Sequence, residues 1–272
     1  FIHVDVEATQ IGRIFEPDLG IVADAKLMLE AMPAEARRLY PAGVQRRAWT
    51  ERITEARHTL VRRTDFDQVP VKGPRVFGEL NAYYGPDTTF VTAIGLYQIW
   101  SGQFQTTHKP LRYFVCGQAG PLGWEVSAAT GIKLAQPERE VVAVVGDYSF
   151  EFLMEEIAVA VQYRIPFVIV MLNNAHLGLI RQAERTGFKF DADYEVSIWY
   201  GEDGYGMDHV KAMEAMGATG MRVRRPEDIA GALAWAARTS NERSVPVLVE
   251  ILTEHKENAA MGTSIASINE VY

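Results

Sequence analysis

Val141-Val142-Ala143-Val144-Val145 is an apolar run that ends at Gly146-Asp147-Tyr148; a second run, Pro166 to Leu172, ends at Asn173-Asn174, with 24 residues between Tyr148 and Asn173. That spacing places an aspartate and an asparagine at neighbouring strand ends. Hard cations such as Mg²⁺ take oxygen ligands, keep some of their water and share a substrate's phosphate oxygens, so a few protein oxygens suffice. The Asp147 carboxylate, the Asn174 side-chain amide and the backbone carbonyl of His176 supply such a set. Parallel α/β sheets bind ligands beyond the carboxyl ends of their strands, where backbone N–H groups favour phosphate. Tyr148 and Ser149 stand at such a strand-to-helix turn. The competing reading is that Gly-Asp and Asn-Asn are ordinary turn residues closing two strands.

Outward from this pair the pattern alternates. Strand-like runs at Thr88 to Ile94, Arg112 to Cys116, Val141 to Gly146, Pro166 to Leu172, Gly220 to Val223 and Val245 to Ile251 are separated by segments with apolar residues at helical spacing. Those segments lie near Trp124 to Leu134, Phe152 to Tyr163, Val210 to Met216 and Glu227 to Ala237. Strands alternating with helices predict an α/β fold, a mostly parallel sheet with helices on both faces. Ahead of it, residues 1–32 predict a strand (Phe1 to Val6), a short helix at Gln10 to Ile14 and a helix from Ala25 to Met32. Residues 33–75 carry charge and helical spacing and end at prolines, which predicts a helical linker, and 76–272 form the main domain. The chain opens on a strand without methionine, so the expectation is the inside of a larger polypeptide.

Composition fits an enzyme without naming one. The 272 residues exceed the usual single-domain size. The formal charge is −8 and no Lys/Arg tract exceeds a pair, which argues against nucleic acid as a partner. Cys116 is the only cysteine, so there is no intrachain disulfide and no Cys-x-x-Cys site. No segment approaches about 18 apolar residues and no signal-peptide pattern opens the chain, so the expectation is a cytoplasmic protein without a membrane partner. The six histidines, His3, His58, His108, His176, His209 and His255, show no zinc spacing. Gly-x-Ser-x-Gly, Gly-x-Gly-x-x-Gly and Walker patterns are absent too, which weakens a hydrolase or a nucleotide-binding module.

Gly146-Asp147-Tyr148-Ser149-Phe150, with Asn173-Asn174-Ala175-His176-Leu177-Gly178, resembles the diphosphate-binding motif of the thiamine-diphosphate (ThDP) enzymes. Further stretches are similar to the glyoxylate carboligase family within that group, a relative of the acetolactate synthases. They are Phe1 to Asp5, Asp67 to Lys72, Cys116 to Trp124, Asn173 to Gln182, Tyr205 to Val210 and Met261-Gly262. Two residues depart from the wider pattern: Tyr148 stands where many members have a second glycine, and Ala183 where acetolactate synthases have a tryptophan that holds larger 2-oxo acids.

The resemblance implies ThDP held through Mg²⁺ by Asp147, Asn174 and His176, with Gly95, Leu96, Tyr97, Gly146, Tyr148, Ser149 and Gly178 around the diphosphate. It implies the Gly120 carbonyl against the aminopyrimidine and Leu122 as the wedge that bends the cofactor. Ile94, Leu179 and Ile180 would cover the reacting carbon, and Arg185 matches the family's active-site arginine. Arg181, one turn earlier, offers a second carboxylate fork, and for either arginine the plain alternative is a solvated pair bridging to Glu184. The first segment resembles the end of a central domain that contacts a structural FAD through Asp5, Val6, Gln10, Asp24 and Ala25; the plain alternative is that Asp5 ends a strand and Asp24 caps a helix. The implied reaction joins two glyoxylates to tartronate semialdehyde with loss of CO₂. The implied partners are amino-terminal domains outside this sequence, with the residue facing the pyrimidine N1′, in a homodimer or homotetramer. Other 2-oxo acid carboligases or decarboxylases, and a non-catalytic nucleotide-binding or interaction module, are the alternatives.

Overall fold

A computed structural model describes residues 1–190 and 204–260. Met261 and Gly262 therefore lie outside the described residues. The chain divides into two compact units, Phe1–Val61 and Arg62–Tyr272.

In the first unit, β1 (Ile2–Asp5) pairs in parallel with β2 (Leu19–Val22), Ile2 opposite Leu19 and Asp5 opposite Val22. The short helix expected at Gln10 to Ile14 is a single 3₁₀ turn at Ala8–Gln10, closed by the Glu7 side chain. Helix α1 (Ala25–Leu39) opens at Asp24, whose carboxylate accepts the Leu27 N–H at 3.0 Å. It runs through Pro33 instead of ending there. The exposed helix loses one hydrogen bond at the proline, and the good helix formers Ala34, Glu35, Ala36, Arg37 and Arg38, with a Glu35–Arg38 ion pair, carry it on. Helix α2 (Arg47–Thr59) follows. No residue of this unit is buried within the chain.

The second unit is built on a six-stranded sheet in the order β4-β3-β5-β6-β8-β7. The strands are β3 (Thr89–Thr92), β4 (Tyr113–Val115), β5 (Val141–Gly146), β6 (Val168–Asn173), β7 (Thr219–Val223) and β8 (Val247–Leu252). Every pairing is parallel. All residues of β5, β6 and β8 are buried, which explains their continuous apolar runs: both faces of a parallel sheet are covered. Val142 and Val144 join one core with Val76, Phe77, Leu80, Trp100 and Leu233. Ala143 and Val145 join the other with Val126, Ile157, Ile169, Met171 and Met213. Each large aliphatic side chain taken fully out of water contributes about 1.5–3 kcal/mol.

The first face carries α3 (Gly73–Tyr83), α4 (Leu96–Phe104) and α10 (Ile229–Arg243). The opposite face carries α5 (Trp124–Ala135), α7 (Glu156–Gln162) and α9 (His209–Ala215). Short helices α6 (Asp147–Phe152) and α8 (Gly178–Ala183) stand directly at strand ends, and a π turn, Glu184–Phe188, extends α8. The expected helix Phe152 to Tyr163 is α7, which begins only at Glu156, while Phe152 is the last residue of α6. The region 60–72, expected as the end of a helical linker, is non-helical, and α3 begins at Gly73, inside the span given to the linker. After β3 the chain goes outward to β4 on one side, then returns to β5 on the other. Loops leaving β3 and β5 diverge at that switch and open a crevice. No helix among the described residues is long and apolar enough to cross a membrane.

Candidate active site

The crevice is a cavity of about 410 Å³. Its floor comes from the β3 and β5 ends. Gly95, at the start of α4, has φ 151° and ψ −176°, a conformation that side chains exclude. A Cβ on Gly95 would lie 2.4 Å from the Tyr97 ring, and one on Gly146 would lie 2.8 Å from it. The Tyr97 ring therefore packs closely against two glycine backbones from different strand ends.

One wall is the turn after β6. Asn173 is fully buried; its amide donates to Glu250 Oε1 (2.7 Å) and to the Tyr205 carbonyl (3.1 Å), and its Oδ1 accepts the Ala175 N–H at 3.0 Å. That turn holds Ala175 at φ 53°, a strained value for alanine that the surrounding bonds enforce. The Asn174 carbonyl meets His255 Nδ1 and His176 Nδ1, each at 3.0 Å. Tyr205 stacks on the His255 ring at 4.2 Å.

Opposite stands Asp147, the first residue of α6 and 7 % exposed. Burial pushes its carboxyl up to about 7, against the pull of His209 and of the Tyr148 N–H. His209 lies beneath, bonded through Nε2 to Glu151 (2.9 Å) and through Nδ1 to Glu250 (2.8 Å). Burial alone would lower its pKa, but the two carboxylates outweigh that and raise it to about 9. Glu250 is shared with Arg222, whose Nε reaches Oε2 at 2.7 Å. Asn173, Glu250 and the fully buried His209 thus form a chain of bonds that ends on the partly exposed Glu151 and spans the two strand ends.

Fifteen of the sequence-predicted residues line this single cavity: Ile94, Gly95, Leu96, Tyr97, Gly120, Leu122, Gly146, Asp147, Tyr148, Ser149, Asn174, His176, Gly178, Leu179 and Ile180. Trp100, Leu172, Leu177 and Thr253 line it as well and were not expected. Arg185 does not line it; it is exposed on the π turn. Arg181 is not the solvated partner of Glu184 that one sequence reading expects, and it does not line the cavity. Its side chain is 0 % exposed, and Nη2 donates to the Glu257 carbonyl (3.3 Å) and Asn258 Oδ1 (3.1 Å). Gly178, Arg181 and Gln182 form the buried face of α8, and Gln182 bonds both the N–H and the carbonyl of Ala259, so this face holds the chain after β8. In the first unit Asp24 caps α1, and Asp5 Oδ1 accepts the Glu7 N–H at 2.8 Å. Glu125, His209 and Glu250, all fully buried, escaped the sequence reading. The signal available for Glu250 and Glu125 was a charge within an apolar run or on the apolar side of a helix.

The residues fit a hard cation by their chemistry: a buried carboxylate whose charge is suppressed by burial, beside an amide and a backbone carbonyl on the same cavity. A divalent ion there would restore the carboxylate's charge. Among the described residues no group of three or more His, Cys, Asp and Glu side chains gathers as a metal site of its own.

Residues 93–251 match the profile of a family described as thiamine pyrophosphate enzyme, C-terminal TPP binding domain. A glyoxylate carboligase of Escherichia coli O157:H7 is 44% identical over 99% of this chain and 46% of its own length. An acetolactate synthase of Mycobacterium bovis is 30% identical over 92% of the chain and 40% of its own length. A probable acetolactate synthase large subunit of Methanocaldococcus jannaschii is 29% identical, covering 96% and 43%. The chain spans less than half the length of these relatives.

Proposed function

We infer the activity from the premise that this chain belongs to the thiamine pyrophosphate enzymes, through the C-terminal cofactor-binding domain of that family: it supplies the diphosphate- and Mg²⁺-binding half of a glyoxylate carboligase. Two glyoxylates would give tartronate semialdehyde and CO₂. The observation that carries this reading is the 44% identity to a glyoxylate carboligase over 99% of the chain, against 30% over 92% for the M. bovis acetolactate synthase.

Bound ThDP would supply a nucleophilic carbon that adds to the oxo carbon and holds the electron pair as CO₂ departs. Asp147, the Asn174 side-chain oxygen and the His176 carbonyl would hold the Mg²⁺ that binds its diphosphate. Backbone from Gly95 to Tyr97 and from Gly146 to Ser149 would line that tail, with Gly178 opposite. Gly120 and Leu122 would orient the ring end. Ile94, Leu179 and Ile180 would exclude water, which favours a step that disperses charge. Arg185, which matches the family's active-site arginine by position, is assigned to the substrate carboxylate on that resemblance; it stands outside the cavity lining, on the exposed π turn.

The other half of the site, facing the pyrimidine, would come from amino-terminal domains in a homodimer or homotetramer, and Asp5, Val6, Gln10, Asp24 and Ala25 would face a structural FAD. Asp5 Oδ1 accepts the Glu7 N–H and Asp24 caps α1, as the plain alternative for these two residues has it, so the FAD assignment rests on the resemblance alone. A reduced cytoplasm is the proposed setting. Product analysis on the complete protein supplied with ThDP, Mg²⁺ and either glyoxylate or pyruvate tests the reading. Tartronate semialdehyde with CO₂ is expected; acetolactate from pyruvate, with glyoxylate inert, would replace this activity by that of the acetolactate synthases.

A further inference from the structure

Glu125 lies on the first turn of α5 with no exposed surface, yet it is ionisable and the chemistry above does not use it. Its carboxylate is met from two other strand ends. The Tyr97 hydroxyl donates to Oε1. Ser149 Oγ lies 2.9 Å from Oε1 and 3.0 Å from Oε2, and accepts the Gly123 N–H at 2.9 Å. A hydroxyl has one hydrogen; with Gly123 on a lone pair and the Tyr97 hydroxyl, also beside Ser149, itself donating to Glu125, the carboxylate is the stronger acceptor for the Ser149 proton. What Ser149 offers the cavity is then its backbone.

The three partners sit in the first turns of α5, α4 and α6, the helices that follow β4, β3 and β5, which are adjacent in the sheet. The β4 loop carries Gly120 and Leu122, and the β3 and β5 loops carry the diphosphate floor, where the Tyr97 ring presses on Gly95 and Gly146. Gly123, at φ 80°, has no room for a Cβ, which would lie 2.7 Å from Leu153 Cγ. The loop is therefore pinned on both sides of its bond to Ser149. Burying a carboxylate is costly unless hydrogen bonds to it repay the lost water. Burial raises the Glu125 pKa while the Tyr97 and Ser149 bonds lower it, and the Tyr97 hydroxyl is held well above its ordinary range. A mere core position would be filled more cheaply by an apolar side chain.

We propose that Glu125 is a positioning residue that, by accepting from Tyr97 and Ser149 together, fixes the Leu122 loop relative to the diphosphate floor and so sets the bend of the bound cofactor. This rests on reading the cavity as the ThDP site; it does not depend on glyoxylate being the substrate. A ThDP molecule gripped at both ends is bent correctly only if the distance between the grips is fixed, and misplacement by an ångström costs rate far more than affinity.

The test uses the complete holoenzyme. Glu125→Gln, Tyr97→Phe and Ser149→Ala are compared by Mg²⁺-dependent ThDP titration and by deuterium exchange of the thiazolium C2 hydrogen, read by NMR after rapid quench. Tyr97→Phe keeps the ring on Gly95 and Gly146, and serves if Glu125→Gln does not fold. Each variant is expected to bind ThDP within about threefold of wild type, yet exchange C2 hydrogen at least about tenfold more slowly, with kcat falling in step and KM within about twofold. Because one carboxylate joins the partners, Tyr97→Phe combined with Glu125→Gln should be about as slow as Glu125→Gln alone. Wild-type exchange rates in folded Tyr97→Phe and Ser149→Ala, or losses that multiply independently, would overturn the proposal. Failure of wild type to bind ThDP would remove the cofactor reading and the proposal with it. Normal binding and exchange with no glyoxylate turnover would remove only the substrate.

Discussion

His209→Gln probes the buried bridge beneath the Asp147 turn. The wild-type imidazole is fully buried between Glu151 and Glu250, and those carboxylates raise its pKa from 6.5 to about 9. The folded state binds this proton more tightly than the unfolded chain does, so the resulting stability is fully present below 6.5 and is lost as pH rises through about 9. From 6.5 to about 9 the change amounts to about 3 kcal/mol. Glutamine fills similar space and donates one hydrogen bond but carries no charge at any pH, so the variant lacks this component throughout. Urea unfolding of both proteins at a series of pH values measures it. The wild type should exceed the variant by about 3 kcal/mol or more at pH 6.5, and the gap should shrink by about that amount by pH 9. Arg222 keeps its bond to Glu250 in the variant, so the fold should persist. A gap constant within about 0.5 kcal/mol across that window would mean that the bridge carries no extra proton, and the electrostatic account of the Asp147 turn would fail.

Asp147→Asn should abolish the rise in Tm that Mg²⁺ and ThDP give the complete wild-type protein, while leaving apo stability equal or higher, because the carboxylate is desolvated until a cation arrives; a wild-type rise would remove the metal assignment. Arg181→Met should cost about 1–3 kcal/mol in urea unfolding through the orphaned Glu257 carbonyl and Asn258 side chain. Arg185→Met should instead leave stability and ThDP affinity near wild type and lower kcat/KM for glyoxylate by about 2–4 kcal/mol in transition-state terms; the opposite pattern would exchange the two roles. Burial raises the Glu257 pKa from 4.5 to about 7 despite its bond to the Gly73 N–H, so the folded state holds the extra proton and wild-type stability should fall as pH rises across that interval. Glu257→Gln should flatten that stretch of the stability curve, and an unchanged slope would place the titration elsewhere.

The central strands were legible in the sequence because burial on both faces leaves no polar alternation: Val141 to Gly146 and Val245 to Ile251 read as strands from composition alone. So was the pairing of Asp147 with Asn174, since parallel strands end at the same edge and each turn residue marks its own strand end. Helix α4 was not legible. It follows a glycine turn with no side-chain cap, and only the packing of Leu96, Trp100 and Phe104 into the core makes Leu96–Phe104 a helix. Strand β2 was missed too, because four residues containing Gly20 become a strand only by pairing with β1.

Sequence alone put Asp147, Tyr148, Ser149, Asn174 and His176 at strand ends, because strand periodicity and loop position are local properties, while the rest of the crevice lining was implied by the family resemblance. The tertiary structure decided the direction of each charge. Arg181 and Arg185 lie one turn apart with the same chemistry, yet Arg181 points into the fold and Arg185 is exposed, according to where the chain after β8 crosses α8. Glu125 answers Ser149 across 24 positions, and His209 answers Glu151 and Glu250 across 58 and 41. No periodicity encodes those distances: a buried charge is tolerable only if particular donors converge on it, and convergence is a property of the folded loops together, not of any segment.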